Sequence, residues 1–502
     1  MASTALDDCI EPFEPIVLRG GVGAPTGSVD RSRLELHVLP FGLTVHRLLL
    51  ILHASSAEDT RRDLIVGPED ARDHHLRGRN FFGPLVGRYA NRLPAGKNTD
   101  ASGYVSVNLP EWGGSGICHH GGPETLEGDA PQIAWGTVPS QSGPFDRAVW
   151  TPLIGTGDRP VLFEPEDEAS ASPSSPSSVT FAMQSAQGSN GFPGEVRVEA
   201  RFILLPAAKQ TPLASPSDWP TPEQLGHSTG RVHVEYRAKL LSADVSATPL
   251  NLTQHWGFNL SSGAEAAQED VTIDQHTLRV IPHRLTAKRN APTHLRRLDL
   301  DERGVPTGKL LFASAGDVHD WASPAGGWGK KIADQLPDGG YDHFYVWGND
   351  GQSSPEGIGG EGQGETVALL SSPTSGLSLA FSTNQSGVQL YTANGQPSPS
   401  SVLAKEAGRY GGVSKLLHRR GFGQQVSNNN DDFDVQRGNL QRSAAFLEFS
   451  HPHATLLYPE LQRVAGSDTL LRNTGESDPI SGRNYGYCNW CQIEVWQRQE
   501  KC

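Results

Sequence analysis

The sequence predicts an all-β fold, a large antiparallel β-sandwich carrying polar loop insertions. Three observations predict it. Short stretches that alternate apolar and polar residues recur along the chain, and such alternation sets one face on a core and one in water. The 502 residues include 56 glycines and 36 prolines but only two methionines, a composition that favours strands and turns over helices. No long stretch carries the 3.6-residue period of an amphipathic helix, which favours a sandwich over an α/β fold. No repeat of ~20–50 residues is present, which argues against a propeller.

The strands are read in order. Leu34-Glu-Leu-His-Val-Leu alternates, as do Val196-Arg-Val-Glu-Ala-Arg-Phe, Val232-His-Val-Glu-Tyr and Val271-Thr-Ile. Three polar segments, 164–178, 206–228 and 349–365, interrupt the pattern. They are rich in Pro, Ser, Thr, Gly or acids, bury little apolar surface, and are expected to be mobile loops. Strand patterns resume after each, so residues 1–502 read as one sandwich domain with excursions.

Composition narrows the function. Hydrophobic residues are 36% of the chain, below the ~45–50% of a reference that also counts glycine. The net charge of −14 provides no basic field for phosphates, so nucleic acid is an unsuitable partner. The five cysteines are too few and scattered for a disulfide framework. Met1 to Glu14 carries four acids and no base, unlike a secretory signal. Leu48 to Leu52 is far shorter than the ~18–20 apolar residues that span a bilayer. A soluble, cytoplasmic protein with free thiols and no membrane partner is therefore expected, and Asn251-Leu-Thr and Asn384-Gln-Ser are chance glycosylation patterns.

Four polar clusters sit in apolar or glycine-rich surroundings: Gly87-Arg-Tyr-Ala-Asn-Arg92, His119-His-Gly-Gly122, Thr248-Pro-Leu-Asn-Leu-Thr-Gln-His-Trp-Gly-Phe-Asn-Leu260 and Phe446-Leu-Glu-Phe449. Singly they are ambiguous. His120 beside two glycines reads more readily as a turn residue than as a catalyst. His255 suits a core histidine bonded to a carbonyl as well as it suits a site. Glu448 lies between apolar neighbours, where a carboxylate is costly unless paired or functional. Desolvation raises its pKa, as suits a general base; a buried ion pair with an arginine fits equally.

Taken together, in chain order, the clusters resemble the aldose 1-epimerase (galactose mutarotase) family. The residues that carry the resemblance are Asn80-Phe-Phe-Gly-Pro-Leu-Val-Gly-Arg-Tyr-Ala-Asn-Arg-Leu, His120-Gly-Gly, Phe145-Asp-Arg-Ala-Val-Trp, Gly191-Phe-Pro-Gly-Glu, Thr248-Pro-Leu-Asn-Leu-Thr-Gln-His, Gly340-Tyr-Asp-His, Gly387-Val-Gln-Leu-Tyr-Thr and Leu447-Glu. With the strand patterns around them, they run from about Leu34 to Trp496. The resemblance implies a mutarotase-like supersandwich with an open cleft for a monosaccharide. It also implies interconversion of the α and β anomers of an aldose by ring opening, with no metal or organic cofactor. One group takes the proton of the anomeric hydroxyl while another protonates the ring oxygen, roles that suit a carboxylate and an imidazole.

By motif, the resemblance makes Glu448 the general base and His255 the general acid. It makes Asn91, Arg92, His120, Asp342 and Gln389 sugar contacts, with Arg92 donating charge-assisted hydrogen bonds. Trp256, beside the acid, is expected to stack on a sugar face. The sequence departs from the family at two places. Gln254-His-Trp-Gly-Phe-Asn-Leu260 stands where the family commonly has Asn-His-Ser-Tyr-Phe-Asn-Leu, which bears on the pocket's shape. Glu448-Phe-Ser, then His451-Pro-His-Ala454, stands where it tends to have Glu-Thr-Gln followed by Pro-Asp-Ala.

Other features read more plainly. Cys488-Asn-Trp-Cys491 has redox spacing, but on a final strand positions i and i+3 face opposite ways. Glu448, His451 and His453 read as a proline turn rather than a metal site. Two alternatives to an epimerase of free hexoses remain. A hexose 6-phosphate 1-epimerase of the same fold would need extra cations at the cleft, for which Lys97, Arg284, Lys288 and Arg289 are available. A non-catalytic carbohydrate-binding protein would have no need of an acid/base pair.

Overall fold

The structure is a computed structural model that describes residues 9–20, 33–52, 60–68, 70–76, 79, 81–99, 106–124, 129–154, 159–163, 177–207, 218–261, 273–282, 294–322, 327–337, 340–347, 365–392, 445–450, 470–472 and 487–498. These residues are almost entirely strands and turns; the two α-helices among them, Asp73–Leu76 and Pro222–Leu225, are one turn each. No helix among them is long and apolar enough to cross a membrane.

Three larger sheets surround the core. The first pairs Ile16–Arg19, Arg33–Leu39, Thr44–Leu52 and Thr60–Asp63 in sequence order. The second has ten strands, with the long strands Val196–Leu205, His227–Leu240, Tyr487–Gln497 and Leu377–Thr383 side by side at its centre. The third has six, in the spatial order Gly257–Phe258, Ala445–Ser450, Gly387–Tyr391, Asp342–Val346, Arg296–Leu300 and Pro306–Phe312. Neighbouring strands of the six-stranded sheet run antiparallel. One continuous apolar cluster joins Leu36 and Leu50 of the first sheet, Val198, Val234, Ile493 and Leu379 of the second, and Leu390 and Leu447 of the third. Every second residue of these strands faces that core, so the residues between them face outward.

Three of the expected alternating segments form strands at the expected places: Arg33–Leu39, Val196–Leu205 and His227–Leu240. The fourth does not. Ile273 is fully buried but lies in a bend, the next strand starting at Thr277, and 271–272 lie outside the described residues. A short apolar triplet reads as a strand locally, although its burial here comes from a turn.

The outward face of the ten-stranded sheet also departs from expectation. Glu199 is fully buried there, paired with Arg197 at 2.8 Å and accepting the backbone N–H of Val161 and Leu162. Phe163 lies between the guanidinium groups of Arg201 and Arg237, at 4.1 and 4.4 Å. Residues 159–163 cover this face, and the alternating charges remain because they are mutually paired. The 206–228 segment is likewise not all loop. Trp219 and Leu225 enter the core, a helical turn forms at Pro222–Leu225, and a strand starts at His227. Two large side chains are enough to anchor it. Residues 164–176 and 349–364 of the other two segments lie outside the described residues. So do His451, His453, Arg284, Lys288 and Arg289.

Asn251 is fully buried, in line with a chance glycosylation pattern. Cys491 is buried too, and burial pushes its thiol pKa far up, so it lacks the thiolate character of a redox cysteine.

Candidate active site

The strand Ala445–Ser450 sends Ala445 and Leu447 into the core, which turns Glu448 to the opposite face. Gln389 is its cross-strand partner on Gly387–Tyr391, and Asp342 starts the next strand. His255 reaches the same place from a chain that is tightly pinned. Its N–H donates to the carbonyl of Pro84, and the neighbouring Gln254 amide donates to the carbonyls of Leu43 and Gly83. The short pairing of Thr253–Gln254 with Leu85–Val86 fixes the register.

Asn91, Arg92 and His120 come from a two-stranded element, Arg92–Pro94 against Ile117–His119. Asn91 and His120 both have positive φ, 68° and 47°, and bind each other reciprocally. The His120 N–H donates to the Asn91 carbonyl at 2.9 Å, and the Asn91 N–H donates to His120 Nδ1 at 3.0 Å. Gly121 follows because a Cβ there would lie 1.9 Å from the Gly87 carbonyl oxygen. The glycines after His120 thus serve close backbone approach, and the histidine they hold faces the site.

Seven of the eight expected residues come together here. Four close a ring of hydrogen bonds. Asn91 Nδ2 donates to Gln389 Oε1 at 2.9 Å, Gln389 Nε2 to Asp342 Oδ1 at 2.6 Å, Arg92 Nη2 to Asp342 Oδ2 at 2.9 Å and Arg92 Nη1 to Asn91 Oδ1 at 3.3 Å. Behind this ring, His255 Nε2 meets Glu448 Oε1 at 3.1 Å. The Asp342 side chain is 39% exposed and that of Arg92 20%, against 5% for Glu448 and 8% for His255. The group therefore runs from a wet rim to a dry floor.

Burial sets the electrostatics of the floor. It raises the Glu448 carboxyl to about 8, with the Asp342 charge adding and Arg92 opposing. It lowers His255 to about 4, against backbone hydrogen bonds at His255 and Phe81 and the charges of Asp146 and Asp342. At pH 7 the two groups therefore meet as a neutral hydrogen-bonded pair, not as a salt bridge. Burial also holds His120 well below 6.5, with the charges of its neighbours His119, His255, Arg79 and Arg92 adding. Because a backbone N–H can only donate, His120 Nδ1 is an acceptor and its proton sits on Nε2.

The ligand atoms of His120, His255 and Glu448 lie within 4.8 Å of one another, a spacing that would suit a metal. The hydrogen bonding does not fit one. Nδ1 of His120 is occupied by the Asn91 N–H and Nε2 carries the proton, so neither nitrogen offers a free lone pair.

Trp256 is the exception among the eight. It is 2% exposed and packs in the core against Phe258. Adjacent residues of an extended chain point opposite ways, so the backbone that turns His255 to the site turns Trp256 away. The rings beside the imidazoles are instead Phe81, stacked on His255 at 5.5 Å and 4.7 Å from His120, and Trp112, edge-on to His119 at 5.8 Å. Sequence reasoning passed over both. Phe81 stood within the Asn80-Phe-Phe-Gly motif, but Trp112, on a loop before Ile117–His119, had no pattern to single it out.

A β-sandwich that gathers a buried imidazole–carboxyl pair behind a rim of polar side chains has the frame of an isomerase acting on carbohydrates. Residues 224–432 match the family model described as aldose 1-epimerase. That span holds His255, Asp342 and Gln389 and stops short of Glu448. Among relatives, galactose mutarotase of Bos taurus is 23% identical over 382 residues, 75% of this chain and 80% of that one. Aldose 1-epimerase of Haemophilus influenzae is 25% identical over 336 residues, 67% of this chain and 70% of that one. The fold is shared with a GalM/aldose epimerase homologue from C. elegans, with a TM-score of 0.55, 16% identity and coverage of 97% of this chain and 99% of that one. It is shared also with galactose 1-epimerase from Lactobacillus acidophilus NCFM, with a TM-score of 0.51, 16% identity and coverage of 97% and 100%.

The position of Trp256 has a measurable consequence. Trp256→Ala should cost ~3–5 kcal/mol of stability in denaturant unfolding, as core aromatic truncations do. Trp256→Phe should fold and leave KM for a sugar unchanged, and a raised KM in the folded variant would return the ring to the sugar.

Proposed function

We propose that this protein is an aldose 1-epimerase that interconverts the α and β anomers of a free hexose such as glucose or galactose. The observation that carries the reading is the 3.1 Å contact of His255 with Glu448, buried behind the ring of Asn91, Arg92, Asp342 and Gln389. A carboxylic acid beside an imidazole and a carboxylate beside an imidazolium hold the same number of protons. They interconvert by one transfer along the hydrogen bond, so the pair needs no exchange with solvent to reach its reacting form.

In that form Glu448 takes the proton of the anomeric hydroxyl. His255 gives a proton to the ring oxygen as the bond between that oxygen and the anomeric carbon breaks. The aldehyde rotates about its carbon–carbon bond, and the two groups act in reverse to close the ring on the other face. His120, neutral with its proton on Nε2, donates a hydrogen bond to the same region and keeps that proton. Arg92 donates to sugar oxygens and Asp342 accepts from hydroxyls. The residues involved run from Asn91 to Glu448, which supports reading the chain as one domain built around one site.

Polarimetry of freshly dissolved α-glucose and α-galactose tests the reading. Acceleration by the purified protein towards the same final rotation supports it and ranks the two sugars. No acceleration with either sugar rejects it, and a hexose 6-phosphate is then the next substrate to try.

A further inference from the structure

Arg79 carries none of the roles described above, yet its guanidinium touches the turn that holds His120 and the ring that packs on His255. Nε and Nη2 fork the Asp146 carboxylate, each at 2.5 Å. Nη1 donates to the Gly122 carbonyl at 2.6 Å, and Nη2 to the carbonyl of His120 itself at 2.9 Å. The plane lies 4.7 Å from the ring centres of both Phe81 and Trp112. The side chains of Arg79 and Asp146 are only 6% and 2% exposed. Few geometries satisfy a bidentate carboxylate, two backbone carbonyls and two ring faces at once, and only the planar fork of arginine offers the donors for it.

We propose that Arg79 and Asp146 form a positioning unit that clamps the His120-Gly-Gly turn and the Phe81 ring, and thereby sets the orientation of both site imidazoles. The unit rests on the reading of His255 and His120 given under the proposed function. It works through two contacts. The carbonyls of His120 and Gly122 are tied to Arg79, so the His120 ring is held where Nδ1 receives the Asn91 N–H and Nε2–H faces the site. Phe81, held beneath the guanidinium, packs flat on His255. The charges add to this in opposite senses. Arg79 is among the groups that hold His120 neutral, and Asp146 among those that favour the charged form of His255.

The test uses Arg79→Lys, which keeps the charge and loses the fork, and Asp146→Asn, which keeps the shape and loses the charge. Both are read by turnover and by the imidazole ¹⁵N resonances of His120 and His255. Arg79→Lys should lower kcat by about 100-fold, the scale of a small misplacement of reacting groups, with KM little changed. Asp146→Asn should move the His255 titration downward. In both variants the His120 resonances should leave the pattern of a pure Nε2–H tautomer. If Arg79→Lys does not fold, Asp146→Asn carries the same two readouts. Wild-type kcat and unshifted resonances in a folded variant overturn the proposal. If the wild type itself turns over no sugar, the functional reading has failed, and the resonances alone decide whether the pair positions the histidines.

Discussion

Glu448→Gln is expected to lower kcat by about 10²–10⁴-fold, the span of general acid–base catalysis, and at the same time to raise the melting temperature at pH 7. The first effect follows because the amide keeps the size of the carboxyl but can neither take nor return a proton. Sugar binding should survive, since the rim residues Arg92 and Asp342 and the buried Gln389 are untouched. The second effect follows from burial. The carboxyl titrates at about 8 in the fold against 4.5 in the open chain. Between those values the folded state binds more protons than the unfolded one, so stability falls as pH rises. At pH 7 that loss amounts to ~3 kcal/mol on a scale of 1.36 kcal/mol per pKa unit, and glutamine relieves it. The gain should vanish at pH 4, where both states hold the proton. Near-normal turnover would remove Glu448 from the chemistry, and an unchanged melting temperature at pH 7 would show that its charge is not held in a dry site.

A bell-shaped dependence of kcat/KM on pH is the second large effect, with limbs near about 4 and about 8. The two groups titrate as a pair, and the reacting form is the one holding a single transferable proton. Below the lower limb a second proton enters and no base is left. Above the upper limb the last proton leaves and no acid remains. Outside the window the rate should fall about tenfold per pH unit. Polarimetric rates from acid to alkaline buffers check this, and a profile still rising through pH 9 would contradict the assignment of the upper limb to Glu448.

Unfolding must be followed alongside. Burial holds His120, His233, His255, His276 and His319 below the ordinary value of 6.5. Each therefore contributes stability that is present above 6.5 and is lost as pH falls towards the folded values. The acid limb is interpretable only where the protein still melts cooperatively.

By itself, the sequence determined most strands of the sandwich and, through a resemblance, singled out His255 and Glu448 as the candidate acid and base. Val196 to Phe202 announces itself because a strand writes its two faces into every second residue. Glu448 stands out between apolar neighbours because a carboxylate is costly there unless paired or functional. Asn91, Arg92, His120, Asp342 and Gln389 were readable through motifs, since glycines and turns leave local signatures.

The tertiary structure decided the rest. Trp256 looked like a sugar platform and is core, because only the packing says which of two adjacent side chains meets the cleft. Glu199 looked solvated and is fully buried, because residues 159–163 fold over it. Arg79 carried no signal at all, because its partners Asp146, His120 and Gly122 are distant in sequence and two of its contacts are to backbone carbonyls. The proton balance of His255 and Glu448 belongs to this second group as well. Residue type supplies a carboxyl and an imidazole, but desolvation and a 3.1 Å contact exist only once remote strands have closed around them.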